Sequence, residues 1–140
     1  MTQAESYRQL VVARAGGACE YCRLLEAASG VTFHVEHVVP RSQGGATAMA
    51  NLALGCPGCN LAKGDRTTGH DRRGKVQPLF NPRNFTPSLL GWHLRFILDP
   101  DSGMIVPRSD IEKATIETLR MNTANRAFAR KLQIQAGLIS

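Results

Sequence analysis

The sequence predicts an α+β fold: short strands and helices around a metal-stapled centre, then a strand pair and a long C-terminal helix. Three observations carry that expectation. Four cysteines fall in two CxxC pairs, Cys19-Glu20-Tyr21-Cys22 and Cys56-Pro57-Gly58-Cys59. Between the pairs lies Val31 to Val39, a run of β-branched and apolar residues bounded by Ser29-Gly30 and Pro40. Near the C-terminus, Ser109 and Glu112 have capping-box spacing ahead of a long helical pattern. A chain of 140 residues with 43% hydrophobic content is expected to form a single domain over 1–140 and is too apolar for default disorder. No apolar run is long enough to span a bilayer, and Met1 to Leu10 has no signal-peptide core, so a cytoplasmic location is expected.

Taken in order, Ser6 to Ala15 predicts a helix, with Tyr7, Leu10, Val11 and Arg14 at helical spacing and Gly16-Gly17 as its stop. Leu24 to Ala28 predicts a short helical turn, and Val31 to Val39 a strand. Arg41 to Gly45 reads as a glycine-containing loop, Asn51 to Leu54 as a second strand, and Asn60 to about Arg66 as the start of a helix. Thr67 to Pro87, rich in Gly, Pro, Asn and charge, predicts a connector. Trp92, Leu94, Phe96 and Leu98 alternate as in a strand, and Met104 to Val106 is its hairpin partner across the Asp99 to Gly103 turn. One helix is expected from Asp110 to about Gln135, burying Ile111, Ala114, Met121, Phe128 and Leu132.

Charge points towards phosphates. Lys and Arg total 17 against 11 acids, a net +6. From Asn60 to Phe85, the six cations Lys63, Arg66, Arg72, Arg73, Lys75 and Arg83 face only Asp65 and Asp71. Either this stretch grips a nucleic-acid backbone or it is a solvated loop.

A CxxC turn aims both sulfurs the same way, so two such turns can enclose one tetrahedral Zn²⁺ through Cys19, Cys22, Cys56 and Cys59. A redox pair is the alternative, but no βαβ pattern surrounds either motif. Within the insert, Glu36 and His37 are adjacent. Phosphodiester hydrolysis needs a base for water and a cation to absorb charge; imidazole suits the first and a carboxylate holding a hard cation the second.

The ordered set Cys19/Cys22, Glu36-His37-Val38-Val39-Pro40-Arg41-Ser42-Gln43-Gly44-Gly45, Asn51-Leu52, and Cys56-Pro57-Gly58-Cys59-Asn60 with Lys63 resembles the HNH endonuclease family, most strongly over 14–63. Pro78 to Arg83, Trp92-His93 and Arg120-Met121-Asn122 resemble a tail found in one bacterial subgroup. The resemblance implies a ββα-metal core over about 14–68 and an extension over about 75–140. It implies His37 as general base, Glu36 and Asn60 as ligands of Mg²⁺ or Mn²⁺, Asn51 as the residue tying down the loop, and the cysteines as ligands of structural Zn²⁺. The family more often has Asp where Glu36 stands; Asn60 in place of His favours a hard cation over a catalytic Zn²⁺.

The expected activity is DNA cleavage, with RNA as the alternative substrate and oligomeric state left open. Lys63 is expected to assist at the scissile phosphate, and Arg41, Lys63, Arg66, Arg72 and Arg73 to contact phosphates, against the alternative of ordinary surface charge. His34 either orients the metal site or is structural. The rival function is a non-enzymatic zinc-knuckle module that binds nucleic acid with a decayed HNH site; a protein-interaction knuckle would not need Glu36-His37 at all.

Overall fold

The computed structural model describes residues 3–84 and 88–140, so Met1, Thr2 and positions 85–87 of the expected connector lie outside the described residues. Helix α1 (Arg8–Ala15) buries Val11 and Ala15, one turn apart, and stops at Gly16, which caps it in the left-handed conformation (φ 64°). The first cysteine pair follows in a tight loop closed by Cys19 N–H donating to Leu24 O (2.8 Å) and by an Ala18–Leu25 bridge. Helix α2 (Glu26–Ser29) leads into β1 (His34–His37).

Strand β1 pairs antiparallel with β2 (Leu52–Gly55), Glu36 opposite Ala53 and His37 opposite Leu52. The strand is shorter than the predicted Val31 to Val39 because side chains take over the backbone groups at its ends. Glu26 accepts from Phe33 N–H and Arg8 donates to Phe33 O at one end; Asn51 accepts from Val39 N–H at the other. Helix α3 (Pro57–Lys63) completes a ββα unit, packing on β1. It begins within the second cysteine pair rather than at Asn60: Cys56 is its N-cap, and Pro57 supplies the first turn, where a missing N–H costs nothing.

The expected connector contains a hairpin that composition concealed, β3 (Thr68–His70) with β4 (Val76–Pro78). Its turn is built by Asp71, whose Oδ1 accepts from the Arg73 and Lys75 N–H groups. Gly69 presses onto the last helical layer; a Cβ there would meet Thr118 Oγ1 at 2.2 Å.

The Trp92–Leu98 segment is helix before it is strand: α4 (Ser88–Arg95) runs directly into β5 (Phe96–Leu98), which pairs with β6 (Ile105–Pro107). Trp92 and Phe96 satisfy the helical period as well as the strand alternation, and their rings stack at 5.0 Å. The C-terminal helix divides into α5 (Asp110–Leu119) and α6 (Ala124–Gln135). Between them Arg120 turns left-handed (φ 53°), Met121 plugs the core, and Asn122 pairs its side-chain amide with both backbone groups of Ile105 (2.8 Å each). That break re-phases the stripe. Ala114 and Met121 are buried and Ile111 half-buried, but Phe128 and Leu132 are 59% and 48% exposed, and α6 instead buries Ala127, Arg130 and Gln133. Ser109 is the α5 N-cap, but its hydroxyl binds the Glu112 carboxylate, which is also paired with Arg95, rather than a backbone N–H. Tyr21, Phe33, Leu54, Trp92, Phe96 and Leu119 form the centre of one core that joins the ββα unit to the C-terminal helices.

Candidate active centre and metal sites

The ββα unit presents an open cleft, lined by His34, Glu36 and His37 of β1, by Arg41 and Ser42 of the following loop, by Asn60 of α3 and by Asp65 just beyond its C-terminus. Glu36 and His37, adjacent in the strand, both reach it.

Glu36 is 7% exposed, and its Oε1 is buried with no hydrogen-bond partner. Burial pushes its carboxyl up; the Lys63 ammonium and the Tyr21 hydroxyl oppose this, Glu20 adds to it, and the net is upward. A buried carboxylate oxygen without a protein partner is costly unless a cation or proton meets it. Glu36 from β1 and Asn60 from α3 both line this cleft and can each offer an oxygen, the donor type that a hard divalent cation takes.

His37 is half-buried, and its Nε2 lies 2.7 Å from Thr47 Oγ1. Burial, with Arg41 and Lys63 nearby, holds its pKa below the ordinary histidine value, so the ring is neutral and basic at neutral pH. Asn51 clasps the loop between the strands: its amide donates to Val39 O and Ala46 O and its Oδ1 accepts from Val39 N–H, each at 2.9 Å. Gly45 sits inside this clasp, where a Cβ would meet Val39 O at 1.8 Å.

Lys63 is placed differently from the phosphate contact expected of it. It is 2% exposed and points under β1, donating to Val38 O at 3.0 Å and His37 O at 3.4 Å. Spaced one helical turn from Asn60, it faces the strand rather than the cleft. Of the expected phosphate-binding arginines, Arg41 lines the cleft. Arg66 lies on the other flank of α3, in a groove shared with Arg120 and Arg126. Arg72 pairs with Glu117 at 3.5 Å and Arg73 is exposed, both outside the cleft lining.

The second site is the cysteine quartet. All four thiols are buried and unpaired by disulfides, with sulfurs within 4.8 Å of one another and Cys22 Sγ 3.6 Å from Cys56 Sγ. A tetrahedral ion about 2.3 Å from each sulfur calls for sulfur separations of about 3.8 Å, so the quartet is placed for a metal ion and its donor set is that of structural zinc. Arg126 joins the cluster from α6: Nη2 donates to Cys59 Sγ at 2.6 Å and lies 3.6 Å from Cys56 Sγ. Burial alone would lower its pKa; the Cys59, Cys22 and Cys56 sulfurs outweigh that and raise it.

Sequence reasoning missed Thr47, Tyr21 and Arg126. Only tertiary contact distinguishes Thr47 from a solvated loop threonine, or Arg126 from other helical surface charge. Asp65 and Ser42 flank recognised motif residues, so their proximity was the available signal.

Among the described residues no helix is long and apolar enough to cross a membrane. No curated protein and no solved structure matches the chain. The family model HNH endonuclease matches residues 19–66, from the first cysteine to the basic segment after α3. With the cysteine quartet assembled and the ββα unit between its two halves, residues 19–66 of this chain are similar to the HNH endonuclease family.

Proposed function

We propose that this protein is a metal-dependent endonuclease that hydrolyses phosphodiester bonds in DNA, working in the reducing cytoplasm where its thiols stay free. The observation that carries this is the convergence of an unpartnered buried Glu36 oxygen, the His37 imidazole and Asn60 on one open cleft. Glu36 and Asn60 would hold Mg²⁺ or Mn²⁺; bound there, the ion supplies positive charge against the phosphate and the leaving oxygen.

His37 takes a proton from water. The short contact with Thr47 occupies Nε2, which leaves Nδ1 as the proton acceptor when Thr47 receives the Nε2 hydrogen. Arg41, exposed at the cleft rim, holds a neighbouring phosphate, and Arg66 extends the contact along α3. Lys63 steadies the exit of β1 through its two carbonyl contacts, and its charge adds to burial and Arg41 in lowering the His37 pKa. Asn51 fixes the loop that carries Thr47.

The test is nicking of supercoiled plasmid with Mg²⁺ or Mn²⁺ against the same reaction in EDTA, followed by sequencing of the ends. Metal-dependent nicking that His37→Ala removes supports the reading. Binding of DNA with no nicking under either metal overturns it in favour of a zinc-knuckle binding module.

A further inference from the structure

Arg130 is completely buried. Its Nε donates to Gly103 O (2.7 Å) and Nη2 to Met121 O (2.7 Å) and Asn122 Oδ1 (3.0 Å), while Nη1 is buried without a hydrogen-bond partner. Arg126, one turn earlier on α6, donates through Nη1 to Leu119 O, of the last residue of α5, and to Arg120 O just beyond it, and through Nη2 to Cys59. Among the described residues, no carboxylate lies within ion-pair distance of either guanidinium. Guanidinium does not shed its proton in proteins, and an uncompensated buried charge is strongly destabilising. Arg126 meets its anions in the cysteine sulfurs, Cys59 Sγ at 2.6 Å and Cys56 Sγ at 3.6 Å, whereas burial, with Arg126 nearby, lowers the pKa of Arg130 although Cys22 and Cys59 act the other way.

We infer that Arg126 is a counter-ion of the zinc tetrathiolate, so that metal binding and docking of α6 are a single event. A divalent ion among four thiolates leaves two negative charges, one of which the Arg126 guanidinium offsets. Arg23, also near Cys19 and Cys22, lies instead over the Trp92 ring at 5.9 Å from its centroid. The inference also accounts for Gly58 in the second knuckle. A Cβ there would meet Arg126 Cζ at 3.3 Å, so the small residue leaves room for the guanidinium against the sulfurs. The role of α6 is to position and neutralise, with no part in the chemistry of the cleft, and it rests on the quartet holding zinc.

The test uses the full chain loaded with zinc. Zinc affinity is measured by competition with a chromogenic chelator, and hydrogen exchange of 124–135 is followed with and without zinc. Arg126→Gln should weaken zinc by about 10- to 100-fold. Arg126→Lys should recover most of the loss, and Phe128→Ser, on the exposed face of the same helix, should change nothing. Stripping zinc should accelerate exchange throughout 124–135. Wild-type zinc affinity in Arg126→Gln would overturn the counter-ion role while leaving the zinc site standing; a wild-type chain that binds no zinc would overturn both.

Discussion

His37 and Glu36 are neighbours in sequence with opposite electrostatic settings. Partial burial, with two cations nearby, holds the imidazole pKa down, whereas desolvation works against the Glu36 charge. A lowered histidine pKa means that the folded protein resists protonation. His37 therefore contributes stability that is fully present above the unfolded value of about 6.5 and is lost as pH falls through 6.5 to the folded value. An NMR titration of the His37 ring in Mg²⁺-free buffer should give a midpoint below 6.5; a midpoint above it would show that Arg41 and Lys63 do not act on the ring as their positions require. Thr47→Val should slow cutting by about tenfold to a hundredfold at unchanged DNA affinity, because it frees the ring to rotate, and Thr47→Ser should restore the rate. That Glu36, His37 and Asn60 share one cleft was legible because their side-chain chemistry and order are unusual together. Thr47 was not, since a threonine in a polar loop has no signature until the loop is folded.

At the scale of elements, the loop between β1 and β2 is a clasp rather than a tether. Asn51 satisfies three backbone groups, and Gly45 lets Val39 O approach closely. Asn51→Ala should lower stability by about 1–3 kcal/mol in urea unfolding, along with the rate. Gly45→Ala should do at least as much damage, since the backbone carbonyl it would strike cannot rotate away; an unchanged midpoint for Gly45→Ala would mean that the clasp is looser than described. The ββα elements followed from motif order, but their limits did not. Strand β1 ends where Glu26, Arg8 and Asn51 take its backbone groups, which are long-range contacts. The helix–strand switch at Arg95 and Phe96 was ambiguous because Trp92 and Phe96 fit both periods. The break between α5 and α6 depends on Asn122 finding the backbone of Ile105, a tertiary hydrogen bond that no helical pattern reveals.

Across the whole molecule, side chains of the segment beyond the family match tie it to the ββα unit and its cysteine knuckles. Arg83 pairs with buried Glu20, Trp92 Nε1 donates to Tyr21 O at 2.8 Å, and Arg126 reaches Cys59. Loss of zinc should therefore destabilise the chain well beyond the knuckles, and Cys56→Ser should lower the melting temperature as well as the rate. The cationic surface is split between the Arg41 rim and the Arg66 flank, so neutralising both should lower the magnitude of the salt slope of DNA binding by about one per residue. An unchanged slope would move the footprint to Arg72 and Arg73.

The measurement closest to the central claim is plasmid nicking by His37→Ala at saturating Mn²⁺, beside binding of the same DNA. A free base contributes to the proton transfer and little to either binding step. Cutting should fall by about 10²- to 10⁴-fold, with DNA affinity within a few-fold of wild type and the zinc retained. Wild-type cutting by His37→Ala would contradict the account and direct the search for the base to His34, the other imidazole in the cleft.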